Sequence, residues 1–313
     1  MNVVIAAALD LWGLRGAEFD LIAARENAVY RVTCGSEHRA LRLHRKGYRT
    51  DQELRSELQW MAVVAEAGID VPAPIPSSEG ALMHAIDSVQ VDMLTWVPGR
   101  TLDTTLNQID TTQRTRIFRT LGAEMARLHL ASDAWVLPSD FSRAAWDTDG
   151  LVGDAPLWDR FWDNPGLDAN DRALFQKFRD RAIAALVPWQ TSADYGLIHA
   201  DLVAVNVMID ADRISLIDFD DGGFGFRIFE VATTLLNFVD CADYPQLRDA
   251  LLDGYRQHRP LSLDKLDLFL AIRAATYVGW NITRMDETDG AARNTRYIGR
   301  ARGLIREYLN GAP

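Results

Sequence analysis

The stretch that decides the fold of this chain runs from residue 197 to 224 and reads LIHADLVAVNVMIDADRISLIDFDDGGF. Two short apolar runs, Val205–Ile209 and Ile214–Ile217, flank an acidic turn, and this pattern predicts an antiparallel hairpin. In such a hairpin the start of the first strand lies beside the end of the second. We therefore expect Asn206 and Asp218, which occupy those two positions, to meet at the open end of the hairpin.

Oxygen ligands dominate this end of the predicted hairpin. The amide oxygen of Asn206 and the carboxylate of Asp218 suit Mg²⁺, which also takes waters and substrate phosphates as ligands. Asp201 stands five residues before Asn206, on the preceding loop, where its carboxylate could accept a proton from a hydroxyl group. A base and metal ligands in one short segment are the layout of a kinase catalytic loop.

The motif resembles that of the aminoglycoside phosphotransferase and choline kinase-like families, which follow the pattern H-x-D-x-x-x-x-N and then a D-x-D-type metal motif. Asp201 and Asn206 match the first part, and Asp218 opens the second. The resemblance implies that Asp201 is the catalytic base and that Asn206 and Asp218 hold Mg²⁺ on ATP. Within these families, the runs 218–226 and 135–171 look most like the stress-response Ser/Thr kinases and type II homoserine kinases.

Two positions depart from the family pattern. A glycine is usual between the histidine and the base, where this chain has Ala200, and a His-Pro-Gly-like run is usual where it has Val203-Ala204-Val205. Neither departure removes a metal ligand, so both bear on the shape of the loop. Glu230 stands where the family commonly has the aspartate of Asp-Leu-Ala, which implies a carboxylate that anchors a helix. The resemblance covers most of Glu26–Leu236.

The resemblance also implies a fold class, an α+β, bilobal protein kinase-like fold. Its small N-terminal nucleotide-binding lobe, with an antiparallel sheet and one helix, is expected over residues 1–96. A larger, mainly helical catalytic and acceptor-binding lobe is expected over residues 97–313. The residue pattern of the first part agrees, because a short helix is followed by strand-like runs on either side of Cys34-Gly35-Ser36.

A cation and a carboxylate are predicted to pair in the N-terminal lobe. Arg42 lies between two leucines on a predicted strand, and Glu57 lies at the margin of the apolar stripe of a helix capped by Thr50 or Asp51. In kinases a strand lysine contacts the α/β-phosphates and pairs with a helix glutamate, and members of the resembling families sometimes carry arginine there. We expect an Arg42–Glu57 pair beside the nucleotide, the alternative being that Arg42 is merely exposed. Glu53 is expected to be solvated.

Two further segments are predicted to contact the nucleotide. The glycine-poor run Arg25-Glu26-Asn27 stands where protein kinases have a glycine-rich phosphate-covering turn, so Asn27 is either a nucleotide contact or a turn residue. No G-x-x-x-x-G-K-[ST] motif is present, which excludes a P-loop enzyme. The strand 89–96 is similar to the one that leads into the linker between kinase lobes. Backbone groups expected to contact adenine belong to Thr95, Trp96 and Val97.

The acceptor is indicated less directly, by a segment rich in tryptophan and aspartate between residues 135 and 171. One interpretation is a pocket whose aromatic walls and carboxylates suit an amine-bearing acceptor. The other, which we favour for most of these residues, is that the tryptophans form core and the aspartates are loop or cap residues. The helix around Trp280 and Arg284 is expected to close the same cleft. We predict a small hydroxyl-bearing acceptor with an amine, the alternative being a Ser/Thr protein substrate.

Two other classes share these residues. The run 218–222 also looks like the nucleophile motif of haloacid dehalogenase-type phosphatases, but that motif lies near the start of a doubly wound fold and needs downstream basic and acidic partners. A nucleotide-binding pseudokinase is suggested only by the two departures in the loop, and the presence of Asp201 argues against it. We interpret His199 as a scaffold residue, and Asp210 and Asp212 as turn formers.

Composition limits the remaining classes. With 313 residues, 48% hydrophobic and 25% charged, the chain is long enough for a bilobal unit and is typical of a soluble globular protein. The net charge of −11 disfavours nucleic acid as a partner, and no apolar run or basic leader predicts a membrane span or signal peptide. Cys34 and Cys241 are far apart and fit no metal spacing, so we expect a cytoplasmic protein without disulfides.

Overall fold

The computed structural model describes residues 2–24 and 27–311. Arg25 and Glu26, part of the predicted phosphate-covering segment, lie outside the described residues. Contacts between Cα atoms divide the chain into two compact units. The first comprises Met1–Gln108, Leu130–Arg143 and Val205–Asp220, and the second comprises Ile109–His129, Ala144–Ala204 and Asp221–Pro313.

Helices and strands are numbered in chain order. The first are α1 (Asn2–Leu11), β1 (Phe19–Ala24), β2 (Asn27–Cys34), β3 (Glu37–His44), α2 (Asp51–Glu66), β4 (Met83–Ile86), β5 (Val89–Thr95), β6 (Arg100–Thr101), α3 (Leu102–Leu106) and α4 (Thr111–Ala134). Next come β7 (Ala145–Trp146), α5 (Thr148–Val152), α6 (Ala169–Leu186), β8 (Tyr195–Ile198), β9 (Val207–Asp210), β10 (Arg213–Leu216) and β11 (Gly223–Phe226). The last are α7 (Arg227–Leu236), α8 (Tyr244–Arg256), α9 (Leu266–Trp280) and α10 (Gly290–Gly311).

The first unit is built on a five-stranded antiparallel sheet in the order β1-β2-β3-β5-β4. Alternation along the strands sends Val32, Leu41 and Met93 to one face, where they pack against Ile5 and Leu9 of α1 in a buried apolar core. The strands β2 and β3 were expected from the sequence, but the turn is shorter than the predicted Cys34-Gly35-Ser36, because Cys34 belongs to β2 and pairs with Glu37.

The helix α2 begins where its sequence predicts. Thr50 caps it, and a capping box forms because the Thr50 side chain accepts from Glu53 N–H while Glu53 accepts from Thr50 N–H at 2.9 Å. Glu53 was expected to be solvated, and it keeps intermediate exposure while it takes part in the capping box. Leu54, Leu58 and Met61 are buried as the apolar stripe predicts.

The second unit is mainly helical and carries a small sheet in the order β7-β11-β8. Its helices α7 and α9 are almost wholly buried, as their apolar sequences require. In the part of the chain that the structure describes, no helix is both long and apolar enough to cross a membrane. The α+β class expected from the sequence is confirmed.

Candidate active site

The hairpin that carries the predicted metal ligands lies in the first unit. Strands β9 and β10 pair antiparallel, with Leu216 opposite Val207, although β9 begins two residues later than expected because Asn206 ends a 3₁₀ turn. The N–H of Ile217 donates to the carbonyl of Asn206 at 3.0 Å, so Asn206 and Asp218 flank the open end of the hairpin. Asn206 is buried and Asp218 is exposed.

The turn after the hairpin fixes the direction of Asp218. This residue has φ 68°, in the left-handed region that a side chain rarely adopts, while the next side chain, Phe219, is buried edge-on against Trp60 at 5.1 Å. Two arginines that the sequence did not single out hold the backbone here. Arg143 donates to the carbonyls of Phe219 (2.9 Å) and Asp220 (2.5 Å), and Arg49 donates to Asp220 O at 2.9 Å.

The buried carboxylate of Asp220 indicates whether a divalent cation would suit this turn. It is 6% exposed, and its Oδ1 has no hydrogen-bond partner among the described residues, while Oδ2 lies 3.8 Å from Arg49. Burial, together with the negative charge of Glu57, raises the pKa of Asp220. A buried carboxylate oxygen without a partner is a group that a cation would stabilise. The described residues contain no cluster of three or more His, Cys, Asp or Glu side chains suited to a metal, so a Mg²⁺ ion here would also need amide, water and phosphate ligands.

Arg42 and Glu57 form the predicted pair, with Nη1 2.7 Å from Oε1. Glu57, at the margin of the apolar stripe of α2, is fully buried. Its second oxygen accepts from Arg143 at 3.3 Å. The sequence analysis also missed Asp92 on β5, whose carboxylate receives two bonds from Arg42, at 2.8 and 2.9 Å.

These contacts extend into a buried chain that reaches Asn27. His44 Nε2 lies 2.6 Å from Asp92 Oδ2, and His44 Nδ1 lies 3.1 Å from Asn27 Oδ1. Although burial raises the pKa of Asp92, the charges of Arg42 and His44 lower it further, so the net pKa is well below its ordinary value. The guanidinium of Arg42 is therefore held by two carboxylates, and Asn27 is tied to it through His44 and Asp92.

Hydrogen bonds at the end of β5 reduce the number of backbone groups that could contact adenine. The N–H of Thr95 donates to Ala73 O at 2.8 Å, and its hydroxyl accepts from Ala73 N–H, so this N–H is already bonded. Any backbone donor for adenine at this strand end must therefore come from Trp96 or Val97. Gly99, with φ 106°, then packs on the carbonyl of Ile209, where a Cβ atom would clash. This contact and the pairing of β6 with β9 join the segment after β5 to the β9–β10 hairpin within the first unit.

Asp201 lies in the second unit, on the loop after β8. Ala200 has φ 65°, so the loop keeps the conformation that favours the glycine usual in the family. The N–H of Ala200 donates to the fully buried Glu230 at 2.7 Å, and burial raises the pKa of Glu230. His129 Nε2 also lies 2.9 Å from Glu230 Oε1, so His129 helps to brace the loop. The departure at Ala200 thus leaves the loop shape intact.

The side chain of Asp201 is 24% exposed and is held by a residue that the sequence analysis missed. Arg273 of α9, fully buried, donates from Nη2 to Asp201 Oδ1 at 2.5 Å. The guanidinium lies against the rings of Trp158 (4.3 Å) and Tyr277 (4.4 Å). A lone arginine in the apolar run LDLFLAIRAATYVGW was the available signal, because a charge in a buried helix needs a reason.

The other tryptophans and aspartates of the segment 135–171 mostly have structural roles, as favoured from the sequence. Trp146 and Trp162 are buried, and Asp147 and Asp168 cap α5 and α6. Three of the remaining aspartates form ion pairs, Asp154 with Arg179, Asp163 with Arg160 and Asp171 with Arg302. Trp158 is the exception, since it contacts both Arg273 and, at 6.2 Å between ring centroids, Trp280.

Comparison with known proteins agrees with these observations. Residues 20–263 match the family described as the phosphotransferase enzyme family. A homoserine kinase of Gluconobacter oxydans is 30% identical over 222 residues, which cover 66% of this chain and 63% of that protein. A microcompartment-associated aminopropanol kinase has a similar structure, with a TM-score of 0.87, 27% identity and coverage of 99% of this chain and 98% of the other.

A more distant structure has a similar fold and contains ligands. It is an amicoumacin kinase in complex with AMP-PNP, Ca²⁺ and Ami, with a TM-score of 0.80, 21% identity and coverage of 98% of this chain and 93% of the other. These likenesses confirm the protein kinase-like fold, and the haloacid dehalogenase alternative is wrong because Asp218 follows an antiparallel hairpin. The chain belongs to the phosphotransferase enzyme family and is a phosphotransferase with an alcohol group as acceptor.

Proposed function

We propose that this protein transfers the γ-phosphate of ATP, with Mg²⁺, to a hydroxyl group of a small amine-bearing acceptor. Asp201 is the base, Asn206 and Asp218 are the metal ligands, and Arg42 with Glu57 holds the phosphates. Asn27, Trp96 and Val97 contact the nucleotide. Thr95 ends strand β5 and thereby positions Trp96 and Val97. The division into a nucleotide lobe over 1–96 and a catalytic and acceptor lobe over 97–313 is part of this proposal.

The observation that carries the proposal is the anchoring of Asp201. Its loop is braced by buried Glu230 and its carboxylate by Arg273, while the side chain remains reachable. The same loop leads within five residues to Asn206 and the metal hairpin. Phosphoryl transfer requires a fixed, accessible carboxylate that positions the acceptor hydroxyl, together with oxygen ligands. Asp201 and the nearby pair Asn206 and Asp218 provide these groups.

The acceptor oxygen forms a bond to the γ-phosphorus, and the bond from that phosphorus to the β,γ-bridging oxygen breaks, so that ADP leaves with the electron pair. The hydroxyl proton passes to Asp201. Asn206, Asp218 and the partnerless oxygen of Asp220 would hold a Mg²⁺ ion, which would supply positive charge to the phosphates.

The acceptor class rests on the relatives and on charge. Two relatives are named for homoserine, an amino acid alcohol, and for aminopropanol, an amino alcohol. The net charge of −11 favours a cationic group on the acceptor. The guanidinium of Arg273 already lies against the rings of Trp158 and Tyr277, so the ammonium group of the acceptor is expected elsewhere.

A screen of acceptors by ADP release tests the proposal. Hydroxylated amino acids, amino alcohols, aminoglycosides and Ser/Thr peptides are offered with ATP and Mg²⁺, to the wild type and to Asp201→Asn. We expect an amino acid or amino alcohol to give the highest rate, and Asp201→Asn to lower it at least about 10²-fold while nucleotide binding persists. Preference for a peptide would favour a protein kinase instead, and preference for a neutral sugar would contradict the charge argument.

A further inference from the structure

Arg273 is placed unlike an arginine that serves only the fold. Its side chain is fully buried in α9, where a charge is expensive to hold. The bonds from its guanidinium run from Nη2 alone, to Asp201 at 2.5 Å and to the Tyr277 hydroxyl at 3.2 Å. Nε and Nη1 have no hydrogen-bond partner among the described residues. The ionic contact that this buried charge makes is therefore with the candidate base.

Aromatic rings also contact the guanidinium of Arg273. The guanidinium carbon lies 4.3 Å from the ring of Trp158, 4.4 Å from Tyr277 and 5.6 Å from Phe229. Ring faces attract a cation, and they restrict a planar guanidinium more tightly than a flexible surface partner does. Burial lowers the pKa of Arg273, but Tyr277 and Asp201 raise it to a net value above the ordinary one, so the guanidinium stays charged. The result is a fixed cation that bonds one carboxylate oxygen of Asp201.

We propose that Arg273 is a positioning residue for phosphoryl transfer, which sets the orientation of the Asp201 carboxylate toward the acceptor hydroxyl. This inference rests on the proposed function, because it assumes that Asp201 receives that hydroxyl. Arg273 acts through Asp201 and does not itself touch the acceptor. A misplacement of about 1 Å costs on the order of 10²-fold in rate, so a tether of this kind affects turnover more than nucleotide affinity.

The test compares Arg273→Met with Arg179→Met. Arg179 is a matched control because its guanidinium also lies 4.3 Å from a tryptophan ring, that of Trp162, but bonds Asp154 at 2.5 Å instead of Asp201. We expect Arg273→Met to lower kcat for the best acceptor by about 10- to 100-fold with KM for ATP unchanged. Arg273→Lys, which keeps the charge without the planar fork, should recover part of the loss, and Arg179→Met should stay within about 3-fold of wild type.

A double-mutant cycle separates positioning from general damage. If Arg273 acts through Asp201, then Arg273→Met should cause little further loss in an Asp201→Asn background. An equal loss in both backgrounds, or wild-type kcat in Arg273→Met, would overturn the inference. Failure of the proposed function looks different, since the wild type would then show no transfer that depends on Asp201.

If Arg273→Met does not fold, Tyr277→Phe provides the test of the positioning role of Arg273. This change removes the hydroxyl that Arg273 bonds at 3.2 Å and keeps the ring against the guanidinium. We expect kcat to fall about 3- to 10-fold, with KM for ATP and the melting temperature near the wild-type values. An unchanged kcat in a folded Tyr277→Phe protein would count against the positioning role.

Discussion

Asp218 combines an exposed carboxylate with a strained backbone, which is unusual for one residue. Its φ of 68° turns the chain so that Phe219 enters the core while Asp218 stays at the surface. Strain of this kind costs about 1 to 3 kcal/mol and persists where surrounding contacts enforce it. Here Arg143 and Arg49 supply those contacts through the carbonyls of the turn. At the residue scale, the position of the proposed metal ligand is thus set by backbone bonds to two distant arginines.

Replacing Asp218 with alanine should abolish the thermal stabilisation by ATP that depends on Mg²⁺, because a proposed metal ligand is lost. The measurement is the melting temperature with and without ATP, in Mg²⁺ and in EDTA. Asp210→Ala is the matched control, since Asp210 is an exposed carboxylate at the other end of the same hairpin. Stabilisation of Asp218→Ala equal to that of the control would show that Asp218 does not hold the metal.

At the scale of elements, the loop between β8 and the hairpin shows how a sequence departure is absorbed. Ala200 adopts φ 65° with its methyl group fully buried, and Glu230 of α7 receives its N–H. The hydroxyl of Thr234, also on α7, donates to the carbonyl of Leu202 at 2.7 Å. One helix therefore supplies two bonds to the loop of Asp201, and these hold a conformation that alanine by itself disfavours.

Ala200→Gly should change the free energy of unfolding by no more than about 1 kcal/mol. The relief of left-handed strain, about 1 to 2 kcal/mol, is offset by the lost methyl burial and the greater chain entropy of glycine. Ala200→Val should instead destabilise by about 2 to 5 kcal/mol, through strain and overpacking. Urea denaturation of the three proteins checks both values. Equal stability of the glycine and valine variants would contradict the left-handed geometry.

At the scale of the whole molecule, buried carboxylates set the response to acid. Arg42 and Arg143 keep the pKa of Glu57 below its ordinary value against the opposing effect of burial, and Arg42 and His44 do the same for Asp92. A carboxyl group whose pKa is lower in the folded than in the unfolded protein stabilises the fold at pH values above its unfolded pKa of about 4. This stabilisation is lost as the pH falls through the pKa of the folded state. Burial raises the pKa values of Glu230 and Asp220, so these two groups stabilise the fold at low pH and lose that contribution as the pH rises.

Asp92→Asn should lower the melting temperature at pH 7 and flatten its fall below about pH 4. The loss at pH 7 corresponds to about 3 to 5 kcal/mol, the usual effect of breaking a buried ion pair on one side. Melting curves from pH 7 to 3 provide the measurement. Asp154→Asn is the control, because the side chain of Asp154 is 99% exposed. Parallel pH curves for wild type and Asp92→Asn would show that this buried pair does not govern acid stability.

The sequence by itself determined the parts of the site that are close along the chain. The hairpin after Asp201, with Asn206 and Asp218 at its open end, follows from strand alternation and a turn within 28 residues. The Arg42–Glu57 pair, separated by 15 residues, was predictable because a strand and the following helix usually pack together. Local periodicity carries this information, since it fixes which face of an element a side chain occupies.

Only the tertiary structure decided which distant polar groups share the interior. Asp92 is 50 residues from Arg42, Arg273 is 72 from Asp201, and Arg143 is 86 from Glu57. Periodicity marks Arg273 and Asp92 as polar residues in apolar elements, but it does not say which partner each one meets. Packing makes that choice, because a buried charge is tolerated only where the fold brings an opposite charge and hydrogen-bond partners to it.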